Sequence, residues 1–407
     1  PYLYRTHDFG KTWTKIVGGI RSDDWMHAIR EDPTRKGLLY AAGQHGMYIS
    51  YNDGDTWESL SLNLPDVPVS DIVVETNDLV IATHGRGFYV LDNITALRQY
   101  SAEVAAAPEA WLFVPPPAMR SATGASITYW LKKPMRRVTI DILDSANKVV
   151  RTFGPPDSAA LAAAGRGGGG GRGGPVAPAP SQVGLNRYTW DLRYPPAVSF
   201  PGMIFWGAGT NGPAAPPGTY KVRLTADGSS QTQAFRVVRN RLLTDVTDAD
   251  LRAQFALSMQ IFAKVNEANQ AVVDARRIKV EAADRIKRNA DARLKETGDK
   301  LTTNISDVED DIYQVKNQSG QDPLNFPIRI NNRMANLLQM VQRGDGAPTN
   351  NIPSLFGEYN KLLKVQTDRF SKVIGTDLAA FNAELRRLGL PPVAPPCPTG
   401  QSCAIVP

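Results

Sequence analysis

Thr6-His7-Asp8-Phe9-Gly10-Lys11-Thr12-Trp13 and Ser50-Tyr51-Asn52-Asp53-Gly54-Asp55-Thr56-Trp57 are two copies of one pattern, 44 residues apart. Their shared positions are Thr6/Ser50, Asp8/Asn52, Gly10/Gly54, Thr12/Thr56 and Trp13/Trp57. Each part has a physical use. An Asp or Asn side chain accepts hydrogen bonds from backbone amides just beyond it and closes a turn. Glycine supplies a positive φ, and the Trp is expected to pack between neighbouring strands or sheets. The flanks repeat too: Leu3-Tyr4-Arg5 precedes the first copy and Met47-Tyr48-Ile49 the second, and Gly87-Phe88-Tyr89-Val90-Leu91 is a third, degenerate copy without the turn. Between them Met26–Arg30, Leu38–Ala42, Val69–Glu75 and Leu79–Thr83 are strand-sized runs bounded by turn residues.

A repeat of about 40–50 residues built from short strands is the period of a propeller blade. The pattern resembles the Asp-box, or BNR, repeats of sialidase-like, xyloglucanase-like and sortilin-like propellers. Ala82-Thr83-His84-Gly85-Arg86-Gly87-Phe88-Tyr89-Val90-Leu91-Asp92-Asn93 resembles the end of the propeller in large bacterial sortilin-like proteins, often labelled glycosyl hydrolases. The expected fold class is therefore multidomain β plus α, and residues 1–98 are expected to be the last two blades of a partial Asp-box propeller. The chain begins as though inside a strand, which suggests the C-terminal part of a longer protein with more blades upstream.

From residue 101 to about 240 short alternating runs continue: Ile127–Leu131, Arg137–Leu143, Lys148–Phe153, Asn186–Leu192, Thr219–Ala226 and Thr232–Val238. They suggest an immunoglobulin-like β-sandwich. Trp190-Asp191 and Pro217-Gly218-Thr219-Tyr220 resemble strands of the Ig-like module of flagellar-hook-capping proteins. The Gly-rich run within 159–180 has no G-x-x-x-x-G-K-[ST] order and reads as a flexible insertion. Residues 244–390 carry helical periodicity and suggest a bundle. Thr247 with Asp248 and Asp250 forms a helix start. Leu251, Phe255, Phe262, Val265 and Val272 form an apolar stripe on a helix that runs toward Leu294. Arg276 to Arg288 is interleaved with Glu281 and Asp284 and reads as a solvated face. A Pro-rich tail, 391–407, holds the only two cysteines, Cys397 and Cys403, whose spacing allows a small disulfide loop suited to an oxidising compartment.

Composition excludes several classes. With 46 basic and 40 acidic residues the net charge is only +6, and the basic residues do not cluster, which argues against a nucleic-acid partner. No apolar run reaches the roughly 18 residues of a membrane span. The four histidines, His7, His27, His45 and His84, form no HExxH and no paired helical face, so no metal and no cofactor is expected. The blade geometry gathers Asp23, Asp24, Trp25, His45, His84 and Arg86 at one end of the sheets as a candidate ligand face. No catalytic set is complete, since a glycosidase needs two carboxyls about 5–10 Å apart. The expected function is a periplasmic or extracellular binding scaffold for protein, peptide or glycan. The alternative is a fragment of a sialidase- or xyloglucanase-like hydrolase with its catalytic residues in further blades.

Overall fold

A computed structural model describes residues 1–120, 124–155 and 177–396. Residues 159–176 of the Gly-rich insertion and both cysteines lie outside the described residues. The chain opens with a two-stranded ladder, β1 (Tyr4–Arg5) with β2 (Thr14–Lys15). A four-stranded antiparallel sheet follows in sequence order, β3 (Met26–Glu31), β4 (Leu39–Gly43), β5 (Gly46–Ser50) and β6 (Glu58–Ser59). A three-stranded sheet completes this region: β7 (Val69–Val74), β8 (Leu79–Thr83) and β9 (Gly87–Leu91).

Successive side chains of a strand face opposite ways, so one sheet can serve two cores. Leu38, Tyr40, Ala42, Met47 and Ile49 pack against Val69, Ile72, Leu79 and Ile81 of the next sheet. The other face, Leu39, Ala41, Tyr48 and Trp57, packs with Ile16 and Ile20 beyond the first hairpin. The four-stranded sheet is thus covered on both sides, which explains why β4 and β5 are buried throughout. At the far side β9 leaves Phe88 and Val90 in solvent.

Two short helices without sequence periodicity, α1 (Thr95–Gln99) and α2 (Ala102–Ala106), bridge to the next region. Arg35 holds α1 by its C-terminal carbonyls, donating from Nη1 to Leu97 O, Arg98 O and Tyr100 O at 3.0, 3.0 and 2.7 Å. The strands that follow are β10 (Ala110–Leu112), β11 (Ala118–Met119), β12 (Ala125–Leu131), β13 (Val138–Leu143), β14 (Val149–Phe153), β15 (Gly184–Trp190), β16 (Gly218–Ala226) and β17 (Ser229–Val238). They form a three-stranded sheet, β10-β12-β15, and a five-stranded sheet, β11-β17-β16-β13-β14. Only the β11–β17 pairing is parallel among these. Apolar residues alternate along β16 and meet those of β12 and β15 in one core. Trp190 is its centre, with the rings of Tyr220 and Phe235 at 5.5 and 6.3 Å.

Five helices follow: α3 (Asp248–Arg288), α4 (Ala292–Ile312), α5 (Ile330–Val341), α6 (Ile352–Val373) and α7 (Ala379–Arg387). Thr247 and Asp250 close a capping box at the start of α3. The expectation that this helix runs on to Leu294 is corrected: Asn289 leaves helical geometry, and Asp291 caps a new helix by accepting from Leu294 N at 2.9 Å. The buried row of α3 includes Leu251, Ile261, Val265, Ala268, Val272 and Ile278, while Phe255 and Phe262 are only half-buried. The solvated reading of the basic segment is corrected as well. Arg276 Nε donates to the buried Glu309 of α4 at 2.6 Å and lies 4.6 Å over the Phe200 ring, and Lys279 pairs with the same carboxylate.

Residues 191–217, between β15 and β16, carry almost no regular structure yet lie against the helices, anchored by a few buried side chains. Phe200 and Ala197 are buried in the two apolar clusters of the helical region. Side chains from the helices satisfy the strap's backbone. Asn266 Oδ1 accepts from Val198 N, Tyr313 Oη from Ile204 N and Asn332 Oδ1 from Trp206 N, at 2.8, 3.0 and 2.8 Å. This is why several Asn side chains lie deep among apolar helices: an irregular backbone buried there needs partners.

Candidate functional site

The two repeated turns have almost the same hydrogen bonding. In the first, Thr6 Oγ1 donates to Asp8 Oδ1 (2.9 Å), while Asp8 accepts from Thr12 N (2.9 Å) and Thr12 Oγ1 (2.7 Å). Gly10 N donates to Thr6 Oγ1 at 2.8 Å. In the second, Ser50 Oγ donates to Asn52 Oδ1 (3.0 Å), Thr56 N donates to Asn52 Oδ1 (3.0 Å) and Gly54 N to Ser50 Oγ (2.9 Å). Gly10 and Gly54 take φ of 86° and 90°, the left-handed region glycine tolerates best. The tryptophans differ. Trp57 is 3% exposed and Trp13 60%, so the expected packing of the indole holds at the second copy and fails at the first. The reason is local: Trp57 lies against Ile16 and the four-stranded sheet, whereas Trp13 donates only to Gly10 O of its own turn.

The sheet end opposite these turns holds the candidate ligand face. The β4–β5 turn folds against the start of β3, since Gln44 N donates to Trp25 O at 3.0 Å and His45 N to Asp24 Oδ1 at 3.1 Å. Asp24 is fully buried, its second oxygen accepting from Tyr48 Oη at 2.8 Å. It is a structural anchor of this end and does not face solvent. Asp23 is exposed and paired with Arg21 at 2.8 Å, which holds its carboxyl below the usual range. Trp25 presents its indole, 57% exposed, beside them. His45 Nδ1 meets Asp66 Oδ1 at 2.8 Å. Two residues further on, Pro68 O accepts from His84 N at 2.9 Å, so the 66–68 link places the β8–β9 turn at this same end. The side chains of His84 and Arg86 make no hydrogen bond among the described residues and are exposed. Asp23, Trp25 and His45 are therefore brought together, with His84 and Arg86 on the adjoining turn.

Sequence reasoning missed Arg21, which orients Asp23, and Asp66, which orients His45. Arg21 was legible as the neighbour two residues before Asp23. Asp66 was not, because only the fold brings it to His45. Among the described residues no group of His, Cys, Asp and Glu could hold a metal ion, and no helix is long and apolar enough to cross a membrane.

No protein family and no curated protein matches the chain. Among solved structures it is similar to the extracellular domain of the one component system BT4673 from B. thetaiotaomicron, at 9% identity over 58% of this chain and 28% of that chain, with a TM-score of 0.19. It is also similar to the BSP domain of a biofilm associated protein (11% identity, 50% and 28% covered, TM-score 0.16). Dimeric latent PorU from Porphyromonas gingivalis is a third (12% identity, 53% and 20% covered, TM-score 0.18). This chain thus spans little more than a quarter of the BT4673 domain's length.

Proposed function

We propose that the chain is a non-catalytic, extracytoplasmic binding scaffold whose N-terminal sheets are successive Asp-box propeller blades and whose exposed sheet end takes a glycan. The sandwich, read as Ig-like, and the helical region brace it. The observation that carries this reading is the exposed Trp25 indole flanked by the Arg21–Asp23 and His45–Asp66 pairs. An aromatic plate beside planar polar groups suits a sugar ring, whose apolar face stacks while its hydroxyls hydrogen-bond. The blade reading rests on the repeated turn. The first hairpin leaves Trp13 exposed at the position where the second buries Trp57, and a further blade of the same kind would cover it.

The hydrolase alternative places its acid and base in further blades; at this sheet end Asp23 pairs with Arg21, and both oxygens of Asp24 are taken by Tyr48 Oη and His45 N, so neither is set up as a general acid here. Binding of the chain to a panel of immobilised polysaccharides and peptides tests the proposal. Retention on a polysaccharide, weakened at least about tenfold by Trp25→Ala, is expected. Retention on peptides alone, binding indifferent to Trp25→Ala, or turnover of a polysaccharide would overturn it.

A further inference from the structure

β14 is the outer strand of the five-stranded sheet and β15 that of the three-stranded sheet, so the two packed sheets open toward each other along one side. The strap that leaves β15 at Asp191 runs beside this opening and lines a half-open cleft of about 390 Å³. Small-ligand sites are typically about 300–1,000 Å³. Arg151, Tyr188, Asp191, Arg193, Tyr194 and Asn211 are among its lining residues.

One wall is a stack. The Arg151 guanidinium lies 4.9 Å from the Phe153 ring centre, and Phe153 lies 4.8 Å from the Tyr188 ring. Each arginine is held by one nitrogen. Arg151 Nη1 donates to Asp191 Oδ1 at 2.9 Å and Arg193 O at 3.3 Å. Arg193 Nη1 donates to Gly212 O at 3.1 Å and to Gln342 Oε1, beyond α5, at 2.9 Å. Among the described residues the Nε and Nη2 groups of both arginines have no acceptor, and the Tyr188 and Tyr194 hydroxyls have no partner. Burial pushes the Tyr188 hydroxyl up to about 12, so it remains a donor at neutral pH. Two guanidiniums against one carboxylate leave one net positive charge on the lining.

We propose that this cleft binds an acidic monosaccharide of hexuronate size. Its carboxylate meets the unused guanidinium edges, where charge-assisted pairing is strongest. Asp191, Asn211 and the tyrosine hydroxyls share the ring hydroxyls, while the nearly buried Phe153 and Tyr188 rings hold the Arg151 guanidinium in place from the core side. A phosphate dianion exceeds the single net positive charge of the lining, whereas a carboxylate monoanion matches it. A neutral sugar leaves the guanidinium edges without an anion. The site is separate from the sheet end above and stands independently of it.

Calorimetric titration of the chain with D-glucuronate, D-glucose and inorganic phosphate tests the proposal. Saturable one-to-one binding of glucuronate is expected, with glucose and phosphate at least about tenfold weaker. Arg151→Gln and Tyr188→Phe should each weaken glucuronate binding about tenfold at an unchanged thermal midpoint. Should Arg151→Gln disturb folding, Tyr188→Phe decides, because that hydroxyl bridges nothing in the fold. Absence of saturable glucuronate binding, phosphate or glucose bound as tightly, or affinity indifferent to Tyr188→Phe would each overturn it.

Discussion

The indole Nε1 of Trp57 donates to the carbonyl oxygen of Ile16 at 2.9 Å, joining residues 41 apart in sequence. The bond fastens the second repeated turn to the strand that follows the first. Gly54 sharpens the fit, since a Cβ there would meet Ile16 Cδ1 at 2.5 Å.

This contact separates the two repeats energetically. Trp57→Ala should cost about 3–5 kcal/mol, the usual penalty for emptying a buried aromatic site. Trp13→Ala, at an exposed position, should cost under about 1 kcal/mol. Denaturant unfolding of both variants checks the difference, and equal losses would mean the two turns are equally packed in solution.

Asp8 should make the first turn acid-sensitive. Hydrogen bonds from Thr12 N and the Thr12 hydroxyl lower its pKa from 3.8 to about 2. A depressed folded-state pKa stabilises above the unfolded value and is lost as pH falls through the folded one. The first turn should therefore loosen between about pH 4 and 2. The second, built on Asn52, should not respond. Thr12 and Thr56 amide shifts followed by NMR read the contrast, and Asp8→Asn should abolish it.

Much of this architecture was legible in the sequence, and its limits have physical causes. Turn-bounded β-rich runs located β7 and β8 almost to the residue, and the degenerate third repeat copy located β9. The long helix was legible, but its phase was read through Phe262 when the buried neighbour is Ile261. A large ring attracts the eye, whereas burial follows the helix axis. Arg276 and Lys279 looked solvated because their partner, Glu309, lies on another helix. The strap at 191–217 has neither period, so nothing local signalled that Ala197 and Phe200 are buried against the helices. At the sheet end, Trp25 was legible as a turn aromatic, but the burial of Asp24 depends on Tyr48 reaching it across the sheet.

Arg120 joins the sandwich to the helical region. Its guanidinium meets Asp345 at 2.8 Å and Gln254 Oε1 at 3.1 Å, with both members of the ion pair nearly sealed from solvent. Arg120→Met alone strands a buried carboxylate and should cost about 3–5 kcal/mol. Adding Asp345→Leu should recover most of that loss, because an apolar pair needs no desolvation. A double-mutant cycle by thermal unfolding measures it; simple additivity would show that the two groups do not interact.

Gly298 sets two opposing effects against each other. Replacing a mid-helix glycine by alanine ordinarily gains about 0.5–1 kcal/mol. Here the new Cβ would lie 2.5 Å from Ile286 Cδ1 and 2.9 Å from Phe381 Cε2, whose ring is fully buried. Overpacking should win, giving a net loss of about 1–3 kcal/mol for Gly298→Ala. A rise in the unfolding midpoint would show that Ile286 and Phe381 yield easily.

The strap between β15 and β16 also governs how the molecule opens. Its amides are held by Asn266, Tyr313 and Asn332 from the helices, while its two ends are strands of the sandwich. Neither region can come apart locally without withdrawing this segment, so sandwich and helices should behave as one foldon. The amides of Val198, Ile204 and Trp206, though in irregular backbone, should then exchange hydrogen with solvent as slowly as those of the helix interiors.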